Sequence, residues 1–228
     1  MKANKIKTVF FDWGHTFTGS GFADAENEVE KLLKPYDLSW NDFYYHYKNL
    51  YILRSSGRIT SDLEMESQIR KIIGKDIPLI KIIDVIINSH IIPQENIEIV
   101  KELKKEYKVG LLSNNVKEWV EKVLDNYKIR SLFDEIIVSS EVGARKPDAR
   151  IYLAALKKFS AKPEETLFIA DEIAEDLVGA KGCGLKIVWL DSGVENQWKR
   201  SEKEISKWFS PDATIKDLKE IIQIVGTI

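Results

Sequence analysis

Short apolar runs, each stopped by a polar residue and spaced by a helix-length stretch, constrain this chain more than any other feature. The first is Thr8-Val-Phe-Phe11, rich in β-formers with no polar alternation, so it reads as a strand buried on both faces. It stops at Asp12, and Gly14 marks a turn just beyond. Val109–Ser113, Glu135–Val138, Thr166–Ala170 and Lys186–Leu190 repeat the pattern. Helical segments fall between them, over Pro93–Tyr107, Val116–Tyr127 (with Asn115 and Glu118 as a cap pair), Asp148–Phe159 and Ala174–Cys183. Strands alternating with helices predict a parallel sheet with right-handed crossovers. The expected fold class is α/β, a Rossmann-like parallel sheet flanked by helices. Pro211–Thr214 offers a short final strand at best, followed by a closing helix over Ile215–Val225. The polar stretch from Asp191 to Phe209, with Trp198 and Trp208, has no clear pattern.

Between the first and second strands the character changes. No strand alternation occurs from Phe22 to Ser89. Phe22–Lys34 is helix-periodic and ends at Pro35, and Ser39 caps a second helix running to about Ser56. Ser61-Asp-Leu-Glu64 fits a capping box that opens a third helix, ending near Ile73 before Gly74. Pro78–Ser89 is apolar and gives a fourth. Residues 19–91 are therefore expected to form an all-helical insert over the carboxyl edge of a core built from residues 1–18 and 92–228.

A chain of 228 residues has room for one full domain and a smaller insert. The net charge of -2 gives no reason to expect nucleic acid or an anionic membrane as partner. A single cysteine, Cys183, excludes an internal disulfide and suits a cytoplasmic setting. The basic stretch Met1–Lys7 is followed by only four apolar residues before Asp12, too few for a signal peptide or membrane span.

Asp12, Ser113, Lys146 and Asp171 fall at or just past strand ends. In a parallel sheet all of them converge on one edge, where open α/β sheets bind ligands. Alone, Asp12 reads equally as a turn aspartate bonded to its own backbone. Together the residues suit a phosphate. Two carboxylates hold a hard cation such as Mg2+, the cation and a lysine neutralise the dianion, and a carboxylate can then attack phosphorus.

The motifs resemble the haloacid dehalogenase superfamily, whose members are mostly Mg2+-dependent phosphatases. They are Phe11-Asp12-Trp-Gly-His-Thr16, Leu111-Leu-Ser113-Asn-Asn115, Ala144-Arg-Lys146-Pro and Phe168-Ile-Ala-Asp171-Glu-Ile-Ala-Glu-Asp176, in that order along nearly the whole chain. The resemblance implies a core of that family with the helical insert as its cap. It implies Asp12 as nucleophile and metal ligand, with the Gly14 carbonyl, Asp171 and Asp176 completing the metal site. Ser113, with Asn114 beside it, would meet the phosphoryl group, and Lys146 would pair with Asp12 and the phosphoryl oxygens. The substrate implied is a small phosphorylated metabolite, and the chain a monomer or homodimer.

One departure stands out. Most phosphatases of the family carry a second aspartate where this chain has Gly14. Losing a general acid-base costs about 10²–10⁴-fold. His15 is a candidate substitute, with a structural role in the turn as the alternative. A good leaving group would lessen the need, and a binding or regulatory protein with weak catalysis would not need one. A metal-independent 2-haloacid dehalogenase also fits Gly14, but leaves Asp171 and its acidic neighbours without a purpose. Within the insert, Phe43, Tyr47, Leu50 and Arg54 share one helix face. Phe43 and Leu50 are expected to pack internally, while Tyr47 and Arg54 carry polar ends for substrate. His90, near the end of the insert, reads as a connector residue.

Overall fold

The computed structural model describes residues 5–193, 205 and 208–228, so Trp198 and most of the polar stretch around it lie outside the described residues. Every strand expected from the sequence forms. β1 (Thr8–Phe11) is central, between β2 (Lys108–Ser113) and β4 (Thr166–Ala170). β3 (Glu135–Val138) flanks β2, while β5 (Lys186–Leu190) and β6 (Ala213–Ile215) extend the other side. Every pairing is parallel. Phe11 stands opposite Leu111 on one side and Ile169 on the other, which fixes where each strand stops relative to its neighbours. Asp12, Ser113 and Asp171 therefore leave the sheet at one edge. Chain order reverses direction at β1, so that edge opens into the crevice where such sheets hold ligands.

The helices between β1 and β2 are α1 (Gly21–Asp24), α2 (Glu26–Leu33), α3 (Trp40–Ser55), α4 (Asp62–Ile73) and α5 (Leu79–Asn88). They include no described strand, as the sequence predicts. The expected helix over Phe22–Lys34 is broken: Ser20 caps the separate short α1, α2 starts again after Ala25, and Lys34–Tyr36 tightens into a 3-10 turn around Pro35. Ser39 caps α3 by accepting from Asp42 N. Only half of the expected capping box forms on α4. Ser61 accepts from Glu64 N at 3.1 Å, but the Glu64 carboxylate takes the Thr60 N–H instead.

After the insert come α6 (Gln94–Leu103), α7 (Lys117–Asn126), the short α8 (Ser139–Val142), α9 (Ala149–Phe159) and α10 (Val178–Gly182). The Asn115–Glu118 cap pair does not form. Asn115 Oδ1 accepts from the adjacent Val116 N at 2.7 Å, and Ser140 Oγ takes the Lys117 N–H. The expected helix from Ala174 opens instead as a single π turn, Ile173–Leu177, before α10. The closing helix shrinks to Ile221–Ile224: Ile215 stays in β6, and Leu218–Glu220 forms a 3-10 turn capped by Asp217.

Alternation along β1 divides the core. Val9 and Phe11 face the larger apolar cluster, which is continuous with α2 to α7. Phe10 faces the other, with Leu112, Phe168 and α9. The insert is thus packed into the same core as one face of the sheet. Among the described residues no helix is long and apolar enough to cross a membrane.

On the second face Phe10 meets Phe159 edge-on at 4.6 Å between ring centres. Gly110 of β2 makes room for this contact. A Cβ there would sit 2.6 Å from Phe159 Cζ and 2.7 Å from Phe10 Cε1. Overpacking of this kind costs about 1–3 kcal/mol. Gly110→Ala should lose about that much in urea unfolding, with no change in the expected sheet content by circular dichroism.

Candidate active site

Asp12 is placed by the last hydrogen bond of the sheet, its N–H donating to Ile169 O at 2.9 Å. The chain then turns sharply. Phe17 N and Thr18 N both donate to Trp13 O, and Gly14 bridges Thr18. His15 takes a left-handed conformation within this turn, at φ 55°. Thr16 Oγ1, carried back toward the sheet, donates to Asp171 Oδ1 at 3.3 Å. The loop after β1 therefore ties itself to the loop after β4.

Asp12, Asp171 and Asp176 are all buried, and one carboxylate oxygen from each lies within 4.8 Å of the others. The Lys146 ammonium sits among them, bonded to Asp12 Oδ1 and, at 2.7 Å, to Asp176 Oδ1. Burial works to lower the Lys146 pKa, but the charges and hydrogen bonds of Asp12 and Asp176 outweigh it and raise it, so the ammonium stays charged. Burial, and then repulsion from Asp12 and Glu175, pushes the Asp176 carboxyl well above the usual range against the pull of Lys146. Two of the three clustered carboxylates thus share one ammonium. Such a set, all hard oxygen donors without His or Cys, suits a divalent cation like Mg2+ rather than a soft metal.

The π turn presents Asp176, and a close approach seats it against the lysine loop. Tyr152 Oη donates to Asp176 O at 2.6 Å. A Cβ on Gly179 would lie 2.5 Å from Pro147 O, so only glycine lets α10 come this near the residue after Lys146.

These groups line a cavity of about 160 Å³ between the sheet edge and the insert. Ser113 is buried in its wall and makes no side-chain hydrogen bond among the described residues, which leaves its hydroxyl for a ligand. Gly14, His15 and Asn114 also line it. The Asn114 amide, however, is occupied in bracing the lysine loop. Its Oδ1 accepts from Lys146 N at 2.7 Å, and its Nδ2 donates to Lys146 O and Glu175 Oε1. Asn114 thus positions Lys146 rather than offering a free amide to substrate.

Tyr47 reaches the cavity, buried between Phe22 and Phe43 with Tyr51 stacked beyond it at 6.1 Å. Arg54 does not. It turns away to bond Asp62 Oδ1 at 2.9 Å and Glu118 Oε2 at 3.3 Å, tying α3 to α4 and α7. The helix face was legible, but its C-terminal end lies over α7 rather than over the cavity. Phe43 and Leu50 are buried in the apolar cluster, as expected. His90 is more than a connector. It lines the cavity beside Trp13, with Nδ1 on the carbonyl of Ile86 at 3.0 Å, and burial holds its pKa below the usual histidine value.

Arg145, Tyr51, Glu175 and Trp13 also line the cavity and went unrecognised in the sequence. Arg145 donates to Ser55 Oγ and to Glu175 Oε1, and lies over the Tyr51 ring. Tyr51 Oη donates to Asn114 O at 2.8 Å. Two signals pointed there: Tyr51 follows Tyr47 by one helical turn, and Arg145 immediately precedes Lys146.

A family model for haloacid dehalogenase-like hydrolases matches residues 29–190. This chain belongs to the haloacid dehalogenase-like hydrolase family. A glyceraldehyde 3-phosphate phosphatase of Methanothermobacter thermautotrophicus is 27% identical over 95% of this chain and 100% of that protein. One of the same name from Pyrococcus furiosus is 32% identical over 54% of this chain, which spans about half (50%) of that relative's length. Among solved structures, an HAD phosphatase from Thermococcus onnurineus aligns over 97% of this chain and 98% of its own, with TM-score 0.68 and 19% identity. A 2-haloacid dehalogenase from Pseudomonas syringae aligns over 97% and 99%, with TM-score 0.72 and 17% identity. At such identities the structural likeness speaks for the fold alone.

The raised Asp176 carboxyl sets a pH dependence in this member of the family. The folded state holds its proton more readily than the unfolded state. Its stabilising contribution is complete below the ordinary value of 3.8 and is lost as pH rises through the folded value. Urea unfolding in chelator should therefore show Asp176→Asn gaining on the wild type as pH rises from acid toward neutrality.

Proposed function

We propose that this protein is a Mg2+-dependent phosphatase that cleaves a small phosphorylated metabolite through an aspartyl-phosphate on Asp12. The observation that carries this reading is the buried set of Asp12, Asp171 and Asp176 around the Lys146 ammonium, beside the unengaged Ser113 hydroxyl. Relatives named as phosphatases of glyceraldehyde 3-phosphate, phosphoserine and pyrophosphate support the reaction class. Asp12, Asp171, Asp176 and the Gly14 carbonyl would hold the ion. When bound, Mg2+ neutralises phosphoryl oxygens that would otherwise repel the attacking carboxylate.

The side chains divide the work. Lys146 holds Asp12 in place and offers its ammonium to a phosphoryl oxygen. Ser113 donates to another. An Asp12 oxygen bonds to phosphorus as the ester oxygen leaves, and water then hydrolyses the acyl phosphate and restores the carboxylate. The leaving oxygen must find a proton without help from position 14. His15 lines the cavity next to it and is the candidate donor. Helices α1 to α5 would act as the cap, excluding bulk water from the reaction.

Asp12→Asn should lower turnover of an aryl phosphate by on the order of 10⁴–10⁶-fold with its circular dichroism spectrum intact. EDTA should silence the wild type and Mg2+ restore it. Dehalogenation of a 2-haloacid that persists in EDTA would assign the metal-independent reaction instead.

Gly14 yields a further expectation. A Cβ built there has no atom within 4 Å. The first atom of a side chain at that position therefore meets nothing. Gly14→Asp should raise kcat on alkyl phosphates, the poorer leaving groups, by up to about 10²-fold, with far less gain on aryl phosphates. Steady-state kinetics across a leaving-group series reads the difference.

A further inference from the structure

Away from its charged residues the cavity is walled by rings. Phe22, Tyr47 and Tyr51 of the helical insert and Trp119 of α7 all line it. They form one continuous stack. Phe22 lies against Tyr47 with ring centres 5.0 Å apart and planes at 22°, Tyr47 against Tyr51 at 6.1 Å and 13°, and Tyr51 against Trp119 at 5.9 Å and 23°. Tyr47 and Trp119 are buried. Phe22 and Tyr51 are only half-buried, so both keep surface for a molecule in the cavity to touch. The one cation at this wall is already answered: Arg145 lies over the Tyr51 ring and is held by Glu175 at 3.3 Å and by Ser55 Oγ. A second anionic group on a substrate would have to compete with Glu175 for it. An uncharged planar ring would not, and aromatic rings gain from one another beyond the surface they bury.

The other side of the site points to the same kind of ester group. Position 14 is glycine, so no side chain there can protonate the departing oxygen. That matters most for an alkyl ester, whose oxygen is about as basic as hydroxide, and least for a phenol. A phenolic oxygen ionises at a pKa of about 10, as in tyrosine, against about 16 for water. It can depart with the electron pair of the broken bond and take its proton from water afterwards. Cavity size bounds the ring. About 160 Å³ is close to the volume that holds a benzene molecule, which admits one ring and no fused system.

We propose that the substrates are phosphate monoesters of phenols, each with a single aromatic ring that rests on Phe22 and Tyr51. An Asp12 oxygen bonds to phosphorus as the bond from phosphorus to the phenolic oxygen breaks, and phenolate leaves with that electron pair. This assignment rests on the phosphatase reading and adds to it the leaving group that the site selects.

The test is calorimetric titration of the full chain in Mg2+ with two phosphonates that cannot turn over. Benzylphosphonate carries an aromatic ring, and cyclohexylmethylphosphonate carries a saturated ring with the same number of carbons. The saturated ring buries at least as much apolar surface, so any preference for benzyl reports the aromatic contact. The wild type should bind benzylphosphonate about three- to tenfold tighter. Tyr51→Leu and Phe22→Leu should each bring the ratio down toward unity. Tyr51→Phe, which keeps the ring and loses only the hydroxyl, should preserve it. The ratio is taken within each variant, so a general loss of affinity does not disturb it. Equal binding of the two phosphonates by the wild type overturns the assignment, and so does a benzyl preference that survives both leucine variants. Failure of both phosphonates to bind would instead strike at the phosphatase reading beneath it.

Discussion

A single buried ammonium organises this molecule. Lys146 sits between Asp12 and Asp176, two carboxylates that come from loops far apart in the chain. Taking such charges out of water is costly, and an ion pair often no more than offsets that cost. Nothing about stability requires the arrangement here. It needs the parallel register that ends β1 beside β4, the π turn that presents Asp176, and a glycine at 179 that lets α10 approach Pro147. The fold's irregular pieces are concentrated around one side chain.

The charge imbalance follows from the same geometry. Three acidic groups and one ammonium cannot all be comfortable in a buried space, and the raised Asp176 carboxyl is where the discomfort shows. A divalent cation would relieve it, and a phosphate would then balance the cation and the lysine. A divalent cation and a phosphate would therefore complement each other in one site.

Much of this could be read before any coordinates. Short apolar runs between helices pointed to the sheet, because strands buried on both faces read as continuous apolar runs. The acidic and basic residues at their ends followed from parallel direction. What escaped depended on tertiary contact. Arg54 has the right helix face for the cavity, yet two carboxylates on α4 and α7 hold it elsewhere. Asn114 has the right position, yet its amide braces a loop. The broken first helix and the π turn lack strong local signals, because no proline or glycine marks either break.

The bond from Arg145 to Ser55 joins the loop carrying Lys146 to the last turn of α3. Neighbouring residues on one backbone cannot move independently. Any tilt of the helical layer would pull at its guanidinium anchor and, through one peptide link, at the amine that holds Asp12. Opening the roof and loosening the machinery beneath it are, in mechanical terms, a single motion.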